Sequence, residues 1–389
     1  MWIGLQNMLG ESKEFQRLVF VSIAIIALII GAKALRVHRE EVAKSEIIIS
    51  KTSSGQMWAK VSGVVMPDII AVSFDKTGKY GAVVSLEGFL MKTNDGGNNW
   101  FEAGYIPLED GDIPNAIAVK EDGKLVIGIG VDESIYTAIY QETNNNNWKQ
   151  IKCIDCGGIF AGSNDGSIFV GGGGLIVDQN NRINEVDEVN EVNEKSNNKV
   201  KFSYLPDWGK TTLYGVAKNS KNNQVNTSDN NNKNQTKLLN SEHILVVGES
   251  NLVAISDGNN RWNVISPPTG KILPFYAVAI NSEKALVGGV NGSLWQFELN
   301  DNKWREIKGL KEQVSVLSIL MAEDEMIVAG GELAGGAFII SSKGNDIWQY
   351  DLLPKGISKI VCLSITNKSI LAATSDGYIL KRTKSSVGL

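Results

Sequence analysis

The sequence predicts an all-β protein, a seven-bladed β-propeller preceded by one transmembrane helix. Three observations predict it: one long apolar run near the N-terminus, a repeat marked by aromatic residues, and short apolar segments separated by turns rich in Gly, Asn and Asp. We divide the 389 residues into an N-terminal tail (1–17), a transmembrane helix (18–35), a juxtamembrane linker (36–55) and the propeller (56–389).

Composition excludes several classes of function. The chain has 38 Lys plus Arg against 43 Asp plus Glu, a net charge of −5. This balance argues against a basic nucleic-acid-binding surface, so no nucleic-acid partner is expected. Only 2 His and 3 Cys are present, which argues against a His-rich metal enzyme and a disulfide-dense scaffold. We therefore expect no metal and no cofactor.

The apolar run over residues 18–35 reads LVFVSIAIIALIIGAKAL, and only Ser22, Gly31 and Lys33 interrupt it. A helix rising about 1.5 Å per residue would roughly match the hydrocarbon core of a bilayer over this length. A cleaved signal peptide is the alternative interpretation. It is disfavoured because Lys33 lies inside the Ala-Lys-Ala sequence that resembles a cleavage site.

The orientation of this helix rests on two opposing indications. Lys and Arg are more numerous after the helix than before it, which would place the propeller in the cytoplasm. The short tail (1–17) and the usual extracytoplasmic location of the fold favour the opposite. We expect a single-pass membrane protein with the propeller outside the cytoplasm, in the periplasm or its equivalent.

The repeat carries one aromatic residue per unit, each followed by β-branched or apolar residues. The seven marks are Trp58, Trp100, Trp148, Phe202, Trp262, Trp304 and Trp348. Successive marks lie 42 to 60 residues apart. A period near this value with four short strands per unit is typical of a propeller blade. Seven marks predict seven blades, and six or eight would require one mark to be accidental.

Three short apolar segments precede a typical mark, for example AVSF, GAVVS and GFLMKT before Trp100. Residues 357–383 supply three such segments after the last mark, and none precedes Trp58. We therefore expect the Trp58 strand to complete the last blade, which would close the ring and remove two open sheet edges. Two polar, Asn-rich insertions, 179–200 and 218–240, are expected to be surface loops.

One turn fits the Asp-box pattern S/T-x-D-x-G-x-T-W, with Asn in place of Thr before the Trp, and two others are partial matches. In such a turn Asp accepts backbone N–H bonds, Gly takes a positive φ, and Trp packs between sheets. We interpret these residues as structural rather than catalytic. They are Thr93, Asp95, Gly97 and Trp100, with Asp257 and Trp262, and Asp301 and Trp304.

On these turns and the blade count, the sequence resembles the Asp-box propellers, which include sialidases, sortilin-type receptors and the photosystem II stability/assembly factor family. It is most similar to the last family. That resemblance implies seven blades, an extracytoplasmic location and binding of other proteins during complex assembly. The Arg-rich patch of that family has no counterpart here, because the propeller region holds only Arg182, Arg261, Arg305 and Arg382, scattered among repeats.

The sequence predicts no catalytic site. Sialidases resemble one another in binding a carboxylate with three Arg, and none of the four Arg here falls on a predicted inner strand. The pair Cys153 and Cys156 forms a C-x-x-C motif without a second pair or nearby His. A local disulfide is expected if the domain lies outside the cytoplasm, and free thiols are the alternative.

We expect a non-catalytic scaffold or assembly factor that binds protein partners of a membrane-associated, cell-envelope complex, such as a secretion or conjugation apparatus. The alternative is a propeller of the cell envelope that binds or cleaves glycans. That alternative requires aromatic residues and carboxylates clustered around the mouth of the central channel.

Overall fold

The structure is a computed structural model. It describes residues 47–50, 56–130, 136–144, 147–154, 156–179, 201–204, 211–219, 243–256, 262–322, 325–332, 336–343 and 346–383. Within these ranges no helix is long and apolar enough to cross a membrane. The predicted span 18–35 and Asp257 lie outside the described residues. So do the two Asn-rich insertions, apart from residues 179 and 218–219.

The described residues form 29 strands, and all but the first, β1, group into seven four-stranded antiparallel blades. Blades 1 to 4 are consecutive in sequence. Blade 1 is β3 (Ile69–Phe74), β4 (Gly81–Ser85), β5 (Phe89–Thr93) and β6 (Phe101–Tyr105). Blade 2 is β7 (Ile113–Val119), β8 (Leu125–Gly130), β9 (Tyr136–Glu142) and β10 (Trp148–Ile154). Blade 3 is β11 (Ile159–Gly162), β12 (Ile168–Gly171), β13 (Leu175–Asp178) and β14 (Lys201–Tyr204). Blade 4 is β15 (Leu213–Lys218), β16 (Ile244–Gly248), β17 (Val253–Ser256) and β18 (Trp262–Val264).

Blades 5 and 6 continue the series, and blade 7 combines the two ends of the propeller. Blade 5 is β19 (Phe275–Ile280), β20 (Lys284–Gly289), β21 (Leu294–Glu298) and β22 (Lys303–Lys308). Blade 6 is β23 (Val314–Met321), β24 (Met326–Glu332), β25 (Ala337–Ser342) and β26 (Trp348–Tyr350). Blade 7 is β27 (Ile360–Ile365), β28 (Ser369–Thr374), β29 (Tyr378–Thr383) and β2 (Ala59–Val65).

The first strands of the seven blades form a closed ring. Each contacts the first strand of the next blade, and β27 of blade 7 contacts β3 of blade 1. The prediction of an all-β propeller with seven blades is thus confirmed. We call face I the side that carries the turns between strands 1 and 2 and between strands 3 and 4 of each blade. Face II carries the turns between strands 2 and 3 and the connections between blades.

The ring closes as the sequence predicted, through β2. This strand runs antiparallel to β29, with Ala59 opposite Lys381 and Lys60 opposite Leu380. The Lys60 ammonium lies 3.3 Å from the centroid of the Tyr378 ring. Because β2 lies some 300 residues before its partner in sequence, this pairing joins the two ends of the propeller and leaves no unpaired blade.

The hydrophobic core is divided into layers between neighbouring blades. Second strands such as β4 and β8 are buried along their whole length, because blades cover both faces of each sheet. Their sequences, GAVVS and LVIGIG, are therefore apolar without alternation. One layer joins Val84 of blade 1 to Ile127 and Tyr140 of blade 2.

The seven aromatic marks share one structural position, at the start of the fourth, outermost strand of a blade. Trp148, Trp262 and Trp348 are the first residues of β10, β18 and β26. Phe202 and Trp304 are the second residues of β14 and β22, whereas Trp58 and Trp100 directly precede β2 and β6. The spacing of the marks therefore measured the distance from one outermost strand to the next.

One strand lies in the segment expected to be a linker. Residues Ile47–Ser50 form β1, which pairs in parallel with β22 of blade 5 and with β26 of blade 6. Ile49 is buried against Ile307 and Trp348. β1 thus joins the outer edges of two neighbouring blades, and the N-terminal strand belongs to the propeller.

Candidate binding face of the propeller

Every blade has a β-bulge at the same place in its first strand, near face II. The register shifts by one residue between the first strand and the second, which leaves one residue of the first strand without a partner. The seven bulge residues are Ile70, Asn115, Phe160, Tyr214, Tyr276, Leu317 and Val361.

These seven residues lie near the face II ends of the first strands, which surround the central channel. The residue before each is buried, whereas each bulge residue is partly or fully exposed. Since the first strands surround the propeller axis, the exposed side chains belong to one ring, which we call the bulge ring. Phe160 is the most open aromatic member, with 38% of its surface exposed.

The residue after each bulge is small. It is Ala71, Ala116, Ala161, Gly215, Ala277, Ser318 or Cys362. Crowding between first strands explains this, because a Cβ on Gly215 would lie 2.8 Å from the carbonyl oxygen of Tyr276 in the next blade. The glycine run after β12 has a similar cause, since a Cβ on Gly171 would clash with the carbonyl oxygen of Gly158. Gly172–Gly174 form the turn between β12 and β13.

Aromatic members of the bulge ring occupy three consecutive blades. The centroids of the Phe160 and Tyr214 rings lie 5.8 Å apart with an interplanar angle of 60°. Those of Tyr214 and Tyr276 lie 5.2 Å apart at 69°. We call this set the aromatic arc. The rest of the bulge ring is aliphatic except for Asn115, whose side-chain amide donates to the carbonyl oxygen of Ile159 at 3.0 Å.

A carboxylate accompanies the aromatic arc. The Tyr214 hydroxyl donates to Oε1 of Glu249 at 3.1 Å, and the backbone N–H of Thr212 donates to Oε2 at 3.3 Å. Burial, followed by the hydrogen bond to Glu249, raises the pKa of Tyr214 to about 12. Tyr214 therefore stays protonated at neutral pH and fixes the position of Glu249 beside the arc.

Face II also has a cavity of about 320 Å³ in blade 6. Phe338, Tyr350 and Leu353 line its apolar part, and Lys311 and Asp351 add charged groups. Within the described residues no group of three or more His, Cys, Asp or Glu side chains is placed to hold a metal ion.

The predicted turn residues Thr93 to Trp100 lie on face I, between β5 and β6. Oδ1 of Asp95 accepts the Thr93 hydroxyl at 2.8 Å and the backbone N–H groups of Asn98 and Asn99 at 3.0 Å each. The Asn99 backbone N–H bond is the main cause that lowers the pKa of Asp95 to about 2. Gly97 has a φ of 78°, and the Trp100 indole donates to its carbonyl oxygen at 3.3 Å. Hydrogen bonds among its own residues thus hold the turn, and Gly96 and Asn98 also bond to Lys79 and Lys381 outside it.

Other predicted residues occupy separate places. Asp301 is exposed in the turn between β21 and β22. The Trp304 indole donates to the carbonyl oxygen of Ile265, which links blade 5 to blade 4. Cys153 and Cys156 are buried and joined in a disulfide, with Cα atoms 5.6 Å apart. The structure does not bring these residues together into one site.

The two described arginines of the propeller are held in ion pairs away from the channel. Arg305 in the outermost strand of blade 5 pairs with Asp346 at 2.8 Å and with Glu298. Arg382 on β29 is buried and pairs with Asp351 at 3.2 Å and with Glu325. Arg182 and Arg261 lie outside the described residues.

Sequence reasoning missed the bulge ring, although a signal for it exists. Each first strand contains, near its start, a buried residue, a variable residue and a small residue, as in IIA, PNA, IFA, LYG and FYA. The variable residue is the one without a partner in the second strand. The variable residue could be recognised as a bulge residue only once the register between the first and second strands was known.

The fold and this ring define the class: a seven-bladed propeller with a non-uniform, partly aromatic channel mouth. No protein-family model matches the chain, and no curated protein sequence matches it. Solved structures with the same fold do match. One is "YCF48 bound to D1 peptide", 15% identical with a TM-score of 0.55, covering 88% of this chain and 99% of that one.

Two other solved propellers are similar to the chain. "Structure of U3-55K" is 11% identical with a TM-score of 0.57, covering 85% of this chain and 100% of that one. "Crystal Structure of Mitotic Checkpoint Complex" contains a chain 12% identical with a TM-score of 0.55, covering 86% and 94%. At these identities the comparisons establish the propeller fold alone.

Proposed function

We propose that this protein is a membrane-anchored, non-catalytic propeller that binds an extended segment of a protein partner at the face II mouth of its channel. The observation that carries the proposal is the bulge ring, which presents seven side chains of six kinds around one opening. Such a non-uniform ring suits a heteropolymer better than a small symmetric ligand. A similar propeller is described as bound to a peptide, which supports the same use of the fold.

The proposal also covers the cellular location of the propeller and its anchor in the membrane. The apolar run 18–35 would hold the propeller at a membrane, with the propeller outside the cytoplasm. The turn from Thr93 to Trp100 is proposed to be an Asp-box, on its residue pattern and its hydrogen bonds. The role would be that of a scaffold or assembly factor for a cell-envelope complex, such as a secretion or conjugation apparatus.

Site-specific photocrosslinking in intact membranes tests this function. A photoreactive phenylalanine analogue replaces Phe160 on face II in the full chain, and Asn98 on face I serves as the matched control position. We expect one membrane or envelope protein to crosslink from position 160 and not from position 98. Equal crosslinking from both positions, or none from either, would refute the proposal. A C-terminal fusion active on only one side of the membrane tests the orientation.

Glycan binding is a second candidate, because the aromatic arc and Glu249 meet the condition set for it from the sequence. Aromatic rings stack on sugars and a carboxylate accepts their hydroxyl groups. A glycan array probed with the full chain tests this candidate. Binding that disappears when Tyr276 is replaced by Leu would support it.

A further inference from the structure

We infer that the aromatic arc of Phe160, Tyr214 and Tyr276 is a site for a lysine or arginine side chain of the bound segment. This inference rests on the proposed function, since it specifies the chemistry recognised at the same mouth. It follows from the inclination of the rings, from the charge beside them and from the backbone of the first strands.

The inclination of the rings favours a compact cation. Adjacent rings of the arc are inclined at 60° and 69°, with centroids 5.8 and 5.2 Å apart. A cation binds over the face of an aromatic ring within about 6 Å of its centroid, and inclined rings can direct more than one face at a single cation. A sugar ring instead stacks on one flat, open face, and in both pairs here the edge of one ring lies against the face of the other.

The charge beside the rings is negative. Tyr214 and Thr212 hold the Glu249 carboxylate at the arc. A carboxylate has about four lone-pair positions, so Glu249 can accept hydrogen bonds from further donors. Further carboxylates, Glu109, Asp110 and Asp112, lie on the same face in the connection that enters blade 2. This distribution attracts a cationic segment and repels an acidic one.

The described basic groups do not cancel this charge. In the connections that enter blades 2 to 5, in their 2–3 turns and at the strand ends beside them, the described basic residues are Lys152, Lys271 and Lys308. Lys152 is ion-paired with Glu109. The carboxylates of Glu109, Asp110, Asp112 and Glu249 therefore outnumber the described lysines in this part of the face, whereas the part formed by blades 6 and 7 has Lys311, Lys355 and Lys359 beside Glu312, Asp351 and Asp376.

The backbone at the arc suits an extended segment. First strands are the inner edges of their blades, and each bulge residue has no partner in the ladder. An extended chain crossing the mouth can therefore form main-chain hydrogen bonds while it places one basic side chain among the rings.

Fluorescence anisotropy with defined peptides tests the inference on the full chain in detergent. The probes are a short labelled oligolysine and the same peptide with its ε-amino groups acetylated. We expect the oligolysine to bind and the acetylated peptide to bind at least 10-fold more weakly. A loss of about this size corresponds to one lost charge-assisted contact. Equal binding of the two peptides, or no binding of the oligolysine, would overturn the inference.

Matched variants locate the binding on the arc. Tyr276→Leu keeps an apolar side chain but removes a ring, and should weaken oligolysine binding by roughly 3- to 30-fold. Tyr276→Phe keeps the ring and should restore affinity to within about 2-fold. Leu317→Ala alters the aliphatic side of the same bulge ring and should leave affinity unchanged. Equal losses in Tyr276→Leu and Leu317→Ala would refute the assignment.

Two further measurements separate the alternatives. If the Tyr276→Leu variant fails to fold, the Phe160→Leu variant is used in its place, because the exposed Phe160 contributes less to packing. A chito-oligosaccharide that binds where oligolysine does not would assign the arc to glycans and overturn the inference. If position 160 still crosslinks its protein partner while oligolysine binding is absent, the cation site fails and the proposed function stands.

Discussion

Replacing Asp351 by alanine should destabilise the propeller strongly, because this carboxylate joins blade 6 to the strand that closes the ring. Its side chain is fully buried and pairs with the Arg382 guanidinium at 3.2 Å. It also accepts the Trp58 indole N–H at 2.8 Å, the Ser341 hydroxyl at 2.8 Å and the Gln56 backbone N–H at 3.1 Å. The Arg382 guanidinium lies over the Trp58 ring, 5.5 Å from its centroid.

The magnitude follows from what the substitution leaves behind. Arg382 has 2% of its side chain exposed and would keep only Glu325 among the ion-pair partners in the described residues. Removing one partner of a buried ion pair costs about 3–5 kcal/mol, and the Trp58 indole loses its acceptor as well. With a urea m-value of about 3 kcal/mol/M for a domain of this size, the midpoint should fall by roughly 1–1.7 M.

Urea denaturation followed by tryptophan fluorescence measures the change on the full chain. Glu312→Ala, on an exposed residue of the connection between blades 5 and 6, is the control and should shift the midpoint by less than about 0.2 M. Arg382→Met and the double variant complete a cycle. The double variant should lose at least about 1 kcal/mol less than the sum of the single losses. Additive losses, or a midpoint for Asp351→Ala equal to that of Glu312→Ala, would refute the account of a coupled buried pair.

Three more perturbations test other features of the fold. Ile49→Ala should lower the free energy of unfolding by about 2–4 kcal/mol, because Ile49 is 3% exposed between blades 5 and 6. The control Ile272→Ala, at a residue 80% exposed, should have no effect. Urea denaturation midpoints measure both changes, and equal shifts would show that β1 is not integral to the propeller. Replacing both Cys153 and Cys156 by Ala should cost about 2 kcal/mol more under oxidising conditions than in reductant, for a sequence separation of 3. An equal cost in both conditions would show that packing alone is affected. Burial raises the pKa of Asp165, but hydrogen bonds from Lys218, Ser167 and Ser163 outweigh it and lower the pKa from 3.8 to about 2. Because the folded pKa lies below the unfolded one, this stabilisation is present above pH 3.8 and is lost as the pH falls toward 2. In acid titrations, Asp165→Asn should therefore make the free energy of unfolding fall less steeply with pH over that window. An unchanged dependence of the free energy of unfolding on pH would refute the role of the carboxylate.

Some of the fold could be predicted because its causes are local. An aromatic residue at the start of each outermost strand repeats with the blade, so seven marks identified seven blades and the closing strand at Trp58. The turn from Thr93 to Trp100 was readable for the same reason, since the hydrogen bonds of Thr93 and Asp95 join residues within a few positions of one another. Local spacing and turn chemistry survive in a single sequence without knowledge of distant partners.

The features most relevant to binding depended on pairing between distant residues. Nothing in the sequence Ile47–Ser50 indicates that it inserts between two blades, because its partners Ile307 and Trp348 lie more than 250 residues away. The bulge ring depends on a shift of one residue in strand register, which leaves hydrophobic patterns almost unchanged. The sequence by itself determined the number of blades and the way they close. Only the tertiary structure decided which side chains meet at the channel, because rings such as Phe160, Tyr214 and Tyr276 become neighbours only when separate blades are arranged around one axis.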